Sequence, residues 1–305
     1  MQIIMNKKYL NYVYIVLAAT LWGLMGVFVK GLGSLGLHTV QIALLRALIS
    51  MLFIGCLIIC RDPSLFRIKL RDIWMFLGTG IVSYFLFNIC YFTSIKENGV
   101  AISSVLLYTC PIFVTLMACI FFGEKMTPVK AVCLLLAVSG CALVSGLASG
   151  DVRNITFYGV FMGLASAFTY SLYSIISTFA LRKYKPITVT FYTFFFGSIA
   201  AFIVGRPIDT FVTICTPPGI MWSLALGVFS GALPYFLYTK GLSGVEASYA
   251  SVVSTIEPVV ASLIGIFLYH EPSDFFTIFG ICLIILASIV LNFRRVTATK
   301  GNARK

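Results

Sequence analysis

The chain has 305 residues, of which 60% are hydrophobic and only 10% charged, with a net charge of +12. Soluble domains are about 45–50% apolar and about 25% charged. At a mean hydropathy of +1.01 the sequence excludes a disordered chain, a coiled coil and an ordinary water-soluble enzyme, and it calls for an apolar solvent, the lipid bilayer.

Ten apolar runs follow one another, at about 9–29, 38–60, 73–95, 100–122, 129–147, 156–180, 187–205, 220–240, 247–269 and 275–293. A spanning helix takes about 20 such residues, so the spacing predicts an all-α integral membrane protein with ten transmembrane helices. Polar or Gly/Pro-rich punctuation separates the runs. The shortest separator, 96–99, holds two charges and the turn-forming pair Asn98-Gly99. Lys7 and Lys8 before the first run resemble a signal peptide, but the run is long and lacks a small-residue exit, so an uncleaved first helix is expected. No polar stretch is long enough for an extramembrane domain.

The cations set an orientation. With the N-terminus inside, 17 Lys and Arg fall on inside segments and four (Lys30, Lys96, Arg153, Arg206) outside, while Arg46 lies within a run. The positive-inside rule then places both termini in the cytoplasm. The basic excess is therefore a topology signal, and nucleic acid is not an expected partner. The nine cysteines form no Cys-x-x-Cys, and most lie in apolar runs. They read as packing residues, with no metal site and no disulfide framework. No His-Glu-x-x-His, phosphate-binding loop, Gly-x-Ser-x-Gly or potassium-filter sequence is present, so no enzyme activity and no cofactor are expected.

A shift of 147 residues superimposes the halves, with nine identities in 47 ungapped positions from 78 to 124. Ser83 falls on Ser230, Tyr91 on Tyr238, Pro111 on Pro258 and Glu124 on Glu271. The same offset aligns five runs with five, giving repeats at 7–148 and 154–295. An odd number of helices per repeat makes the second enter the membrane from the opposite side. Two inverted five-helix repeats are a common design of alternating-access carriers, in which the halves exchange conformations. Duplication without transport is the plainer alternative.

The segments Tyr108-Thr-Cys-Pro111 with Gly123-Glu124, and Thr255-Ile-Glu257-Pro258 with His270-Glu271, resemble the ends of the fourth and ninth helices of EamA-type carriers, in the drug/metabolite transporter superfamily. Trp22-Gly23 and Leu44-Leu-Arg46 resemble parts of that family's first two helices. The resemblance spans nearly the whole chain. It implies a central cavity lined by helices 1, 3, 4, 6, 8 and 9, and a secondary transporter of small organic metabolites such as amino acids, in the cytoplasmic (inner) membrane. Export is the direction it favours. Cys110 stands opposite Glu257, and Thr169 opposite Trp22, so the halves are not chemically equivalent.

Charges in mid-membrane cost roughly 2.5–3.5 kcal/mol each on insertion scales, which singles out Arg46 and Glu257. Similar depths make a pair between them feasible. Glu257 suits proton coupling or cation binding, and Pro258 frees a carbonyl one turn earlier. A structural ion pair or interhelical hydrogen bond is the competing role. The guanidinium fork of Arg46 suits a substrate carboxylate, and its competing role is snorkelling. Trp22, Tyr84, Asn88, Tyr91, Tyr170, Tyr173, Tyr235 and Tyr238 complete the expected substrate-binding set, as aromatic and amide groups on inward helix faces. Packing is the competing role for each. Trp74 and Trp222 read as interface anchors, Ser103, Ser104, Ser251 and Ser254 as close-approach residues, and Glu124 and Glu271 as caps on neighbouring helix N-termini. The expected partners are a small-molecule substrate, the lipid bilayer and protons as coupling ion, in a monomer or homodimer. The rival readings are an importer of a cationic nutrient such as a quaternary amine, an integral-membrane enzyme, and a non-transporting receptor.

Overall fold

The structure is a computed structural model that describes residues 2–145, 155–205, 207–270 and 274–302, with side chains described for 9–145, 155–205, 207–270 and 274–291. Among the described residues the chain is helical, without a strand. The first half runs through α1 (Gln2–Gly23), α2 (Met25–Gly33), α3 (Thr39–Arg61), two 3-10 turns, α4 (Ile73–Leu77), a π-helical segment (Gly78–Leu86), α5 (Phe87–Leu107), α6 (Cys110–Phe122) and α7 (Pro128–Val144). The second half runs through α8 (Phe157–Ala180), α9 (Pro186–Val204), α10 (Pro207–Ile214), α11 (Pro217–Ala225), a π-helical segment (Leu226–Ala232), α12 (Leu233–Leu242), α13 (Ala247–Ser254), α14 (Ile256–Tyr269) and α15 (Phe275–Asn302). Seven helical stretches are long and apolar enough to cross a membrane, and Cys110–Phe122, Pro128–Val144 and Phe275–Leu291 are shorter apolar helices. The segment 206–218, read from sequence as punctuation, contains the eight-residue helix α10.

Local chemistry explains the boundaries. Thr127, Thr156 and Thr216 accept hydrogen bonds from the amides of Lys130, Gly159 and Gly219, each satisfying an otherwise orphaned helix-start donor. Asp274 does the same for Thr277 (2.8 Å). Proline occupies the first helical turn of α7, α9 and α11, where its missing N–H costs nothing. Between the third and fourth apolar runs, Gly99 adopts φ 81° and ψ 169°. The hydroxyls of Ser94 and Ser103 then meet at 2.8 Å, and those of Tyr91 and Ser104 at 3.0 Å. The chain therefore folds back on itself at Asn98-Gly99, where the sequence has its turn pair.

The 147-residue offset recurs in the backbone. The two π-helical segments occupy equivalent positions, as do the interruptions before Cys110 and Ile256. Gly123 (φ 67°) and His270 (φ 54°) are equivalent left-handed ends of α6 and α14. Equivalent helices also pack together across the molecule, since α3 lies against α9 and α7 against α15. The second pair approaches so closely that a Cβ on Gly140 would stand 2.7 Å from the Gly280 carbonyl. Small residues of this kind let helix backbones meet in lipid, where dispersion and close packing drive association.

The bundle has two chemically distinct ends. At one, Asp72 accepts from Lys183 (2.5 Å) and from the Tyr184 hydroxyl (2.8 Å), Thr188 donates to the Leu65 carbonyl (2.9 Å), and Glu124 meets the start of α13. This basic end carries Arg61, Arg67, Lys69, Arg71, Lys125, Lys130, Arg182, Lys183, Lys185 and Lys240. At the other, Asn98 contacts Thr156, Trp222 packs on Gly31, and Lys30 sits over the Tyr269 ring. Its cations among the described residues are Lys30 and Lys96. Glu124 thus lies at the basic end, whereas Tyr269, next to the counterpart of Gly123, lies at the opposite one. The second repeat is inverted relative to the first.

Candidate substrate cavity

Both interrupted helices break at mid-bundle and restart on a proline pair. α6 begins Cys110-Pro111 and α14 begins Ile256-Glu257-Pro258. Proline at a helix start lacks the donor that would bond one turn back, so each apolar run ends one short helix and opens another. A cavity of about 350 Å³ lies where these starts meet α1, α2, α3, α5, α8 and α12. Its lining runs from mid-bundle (Trp22, Arg46, Tyr170, Tyr235, Glu257) to the end opposite the basic one (Val29, Thr39, Ile95, Val100). Towards the basic end it stops on Trp22, which is 5% exposed and packs on Tyr235 (ring centroids 5.3 Å), Tyr238 (5.4 Å) and Tyr170 (6.5 Å).

Arg46 is buried against neutral partners. Its Nε donates to the Tyr84 hydroxyl (3.3 Å), Nη1 to the Met25 sulfur (2.9 Å) and Nη2 to the Tyr235 hydroxyl (3.5 Å). The Tyr84 hydroxyl in turn donates to the Ala43 carbonyl at 2.9 Å. The Tyr84 and Tyr235 ring centroids lie 5.1 and 5.8 Å from the guanidinium carbon, within cation–π range. Two tyrosines therefore hold the guanidinium fork at the cavity wall.

Glu257 lies in the first turn of α14 and lines the same cavity. No hydrogen bond or ion pair to it is formed among the described residues, and Arg46 and Glu257 do not pair directly. The pairing their similar depths allowed is replaced by two separate charges on one cavity. A carboxylate in the first turn of a helix is favoured by the helix dipole.

Seven of the expected binding residues line the cavity: Trp22, Arg46, Asn88, Tyr91, Tyr170, Tyr235 and Glu257. The other three lie behind its wall. Tyr84 braces Arg46, Tyr173 shares a 2.6 Å hydrogen bond with Thr239, and Tyr238 shares one of 2.7 Å with Ser174. Asn88 lines the cavity but spends a donor on the Tyr84 carbonyl (2.6 Å). Met25, Phe87, Tyr108 and Ser254 also line the cavity, outside the expected binding set. Tyr108 and Ser254 sit beside the two helix breaks, which the prolines at 111 and 258 signal. Nothing in the sequence points to Met25, which enters through the break at Leu24.

A bundle of apolar helices in two inverted repeats, with a cavity holding separate positive and negative groups and lined from mid-bundle towards one end, is a multi-pass membrane transporter in architecture. Residues 10–146 and 157–293 each match the model of the EamA-like transporter family, and the chain belongs to that family. It is similar to an uncharacterized transporter of Archaeoglobus fulgidus, with 28% identity covering 92% of this chain and 95% of the relative. It is also similar to the uncharacterized transporter YwfM of Bacillus subtilis, with 29% identity covering 72% and 73%. A solved crystal structure shares the fold, with a TM-score of 0.77 at 17% identity over 94% of this chain and 98% of that one.

Proposed function

We propose that the protein is a ten-helix secondary carrier of the cytoplasmic membrane, with both termini in the cytoplasm, that moves a small organic metabolite by alternating access. On this reading the ten spans are drawn from the seven long helical stretches and three shorter apolar helices, with Leu70–Leu107 turning at Gly99 so that its last part joins Cys110–Phe122 in the fourth span, and five spans fall in each of the repeats 7–148 and 154–295. The observation that carries this reading is the presence of Arg46 and Glu257, not bonded to each other, on the wall of one aromatic cavity. A cavity of about 350 Å³ suits a compact molecule, and one positive and one negative wall suit a zwitterion such as an amino acid or a related compound. Half-helix starts facing a mid-membrane site are the arrangement in which inverted-repeat carriers bind charged groups. Transport out of the cytoplasm is the direction in keeping with the motif resemblance. Protons are the coupling ion that Glu257 suits.

A second reading, uptake of a quaternary amine, is favoured by the same unpartnered carboxylate set among Trp22, Tyr91, Tyr170 and Tyr235, because aromatic rings attract cations. The test is a thermal-shift screen of the purified protein against a metabolite panel, followed by flux of each hit in proteoliposomes with and without a proton gradient. Zwitterions should stabilise the protein and exchange. Stabilisation by quaternary amines alone selects the second reading, and failure of every solute to move removes both.

A further inference from the structure

A second, shallower opening faces the basic end, a depression of about 710 Å³ between 122–127 of the first repeat and 242–249 of the second, with Thr178 and Arg182. It is separated from the cavity by a buried plug that includes Trp22, Tyr173, Tyr235, Tyr238, Met117 and Val253. The depression is bridged by charge. Glu124 Oε1 accepts from the Ala247 amide at the start of α13 (3.0 Å), while Oε2 accepts from the Ser248 hydroxyl and from Lys130 Nζ (3.1 Å). Lys130 also reaches Glu246 (3.4 Å) and lies 4.6 Å from the centroid of the Tyr249 ring. Its side chain is 1% exposed, against 39% for Glu246. Lys130 and Glu124 belong to the first repeat, and Glu246, Ala247 and Ser248 to the second.

The inverted repeat shows what is special here. At the opposite end the 147-residue offset places Thr277 where Lys130 stands, Gly99 where Glu246 stands and Ala101 where Ser248 stands. Only the glutamate is repeated, as Glu271, which lies outside the described residues. The described residues form an ionic bridge between repeats at the basic end, and the positions equivalent to Lys130 and Glu246 at the other end carry no charge. The lining of the cavity runs towards the end opposite this bridge. We infer that Glu124, Lys130 and Glu246 form a lock that holds the basic end shut and biases the resting protein towards the conformation open at the opposite end. The inference rests on the carrier reading. A buried ion pair with one partner removed leaves an uncompensated charge, so cutting the lock favours the state in which these groups reach water.

The experiment is amide hydrogen exchange of the full-length protein in nanodiscs, without solute, comparing wild type with Lys130→Met and Glu246→Gln. The second variant changes a half-exposed side chain and keeps its shape, so it guards against a folding failure of the first. Exchange at 242–249 should rise by about tenfold, while the segments lining the opposite mouth, 25–29 and 92–100, become more protected. A rise at the basic end without protection at the mouth makes the bridge a structural clamp and overturns the lock, as does unchanged exchange in both variants. Solute flux in proteoliposomes is read separately. A flat exchange pattern with intact flux sinks the lock alone, and absence of flux from every variant and the wild type sinks the carrier reading.

Discussion

Arg46 carries a full charge among neutral partners, and its orientation is set by the Tyr84 and Tyr235 hydroxyls. Lysine would keep the charge but lose the planar fork that grips a carboxylate at two points. Arg46→Lys should therefore weaken binding of an anionic or zwitterionic solute about tenfold, the scale of one charge-assisted hydrogen bond, while the purified protein still melts cooperatively. Equal affinity in a binding titration would show that the guanidinium does not hold the solute. Glu257 differs in having no partner to brace. Glu257→Gln fixes the neutral, protonated shape, so a carboxylate that carries the coupling proton makes this variant lose the dependence of flux on an imposed pH gradient while retaining exchange of solute at equal pH. Flux that still follows the gradient removes Glu257 from the coupling step. These two residues stood out in the sequence because charge inside an apolar run is visible at one position. The tyrosines did not sort themselves, because a hydroxyl on an inward helix face reads the same whether it meets the cavity or, like Tyr173 and Tyr238, a neighbouring hydroxyl.

At the level of elements, hydropathy shows where the chain crosses and is blind to how a crossing is interrupted. The ten apolar runs, the turn at Gly99 and the proline pairs were readable. The two π-helical segments and the break at Leu24 were not, because they change hydrogen-bond register without changing composition. The helix pair α7 and α15 depends on a backbone feature that the sequence shows only as two glycines. At Gly140 the obstacle to a side chain is the Gly280 carbonyl at 2.7 Å, and backbone cannot swing aside as a flexible side chain does. Gly140→Val should then cost about 1–3 kcal/mol, as overpacking does, and lower the melting midpoint in detergent. Gly33→Ala is the control, since a Cβ there meets nothing within 4 Å. Equal midpoints for the two variants would mean that α7 and α15 separate freely.

For the whole molecule, orientation decides which compartment the cavity faces. Of the cations whose side chains are described, ten gather at one end and two at the other, with Arg46 between them. Cations beside short loops stay on the cytoplasmic side, so in the proposed orientation the cavity mouth faces away from the cytoplasm and the Glu124–Lys130–Glu246 bridge faces into it. A native thiol reports on this. Cys215 is exposed between α10 and α11, at the cavity-mouth end. Cys90, Cys110, Cys133 and Cys141 are buried, the exposed Cys56 and Cys282 lie within apolar helices, and the exposed Cys60 stands beside Arg61 at the basic end. A membrane-impermeant maleimide added to intact cells should label Cys215, and Cys215→Ser should lose that label. Labelling of Cys215 only after the membrane is permeabilised would reverse the orientation. The cavity would then face the cytoplasm, and the ionic bridge would seal the outer side.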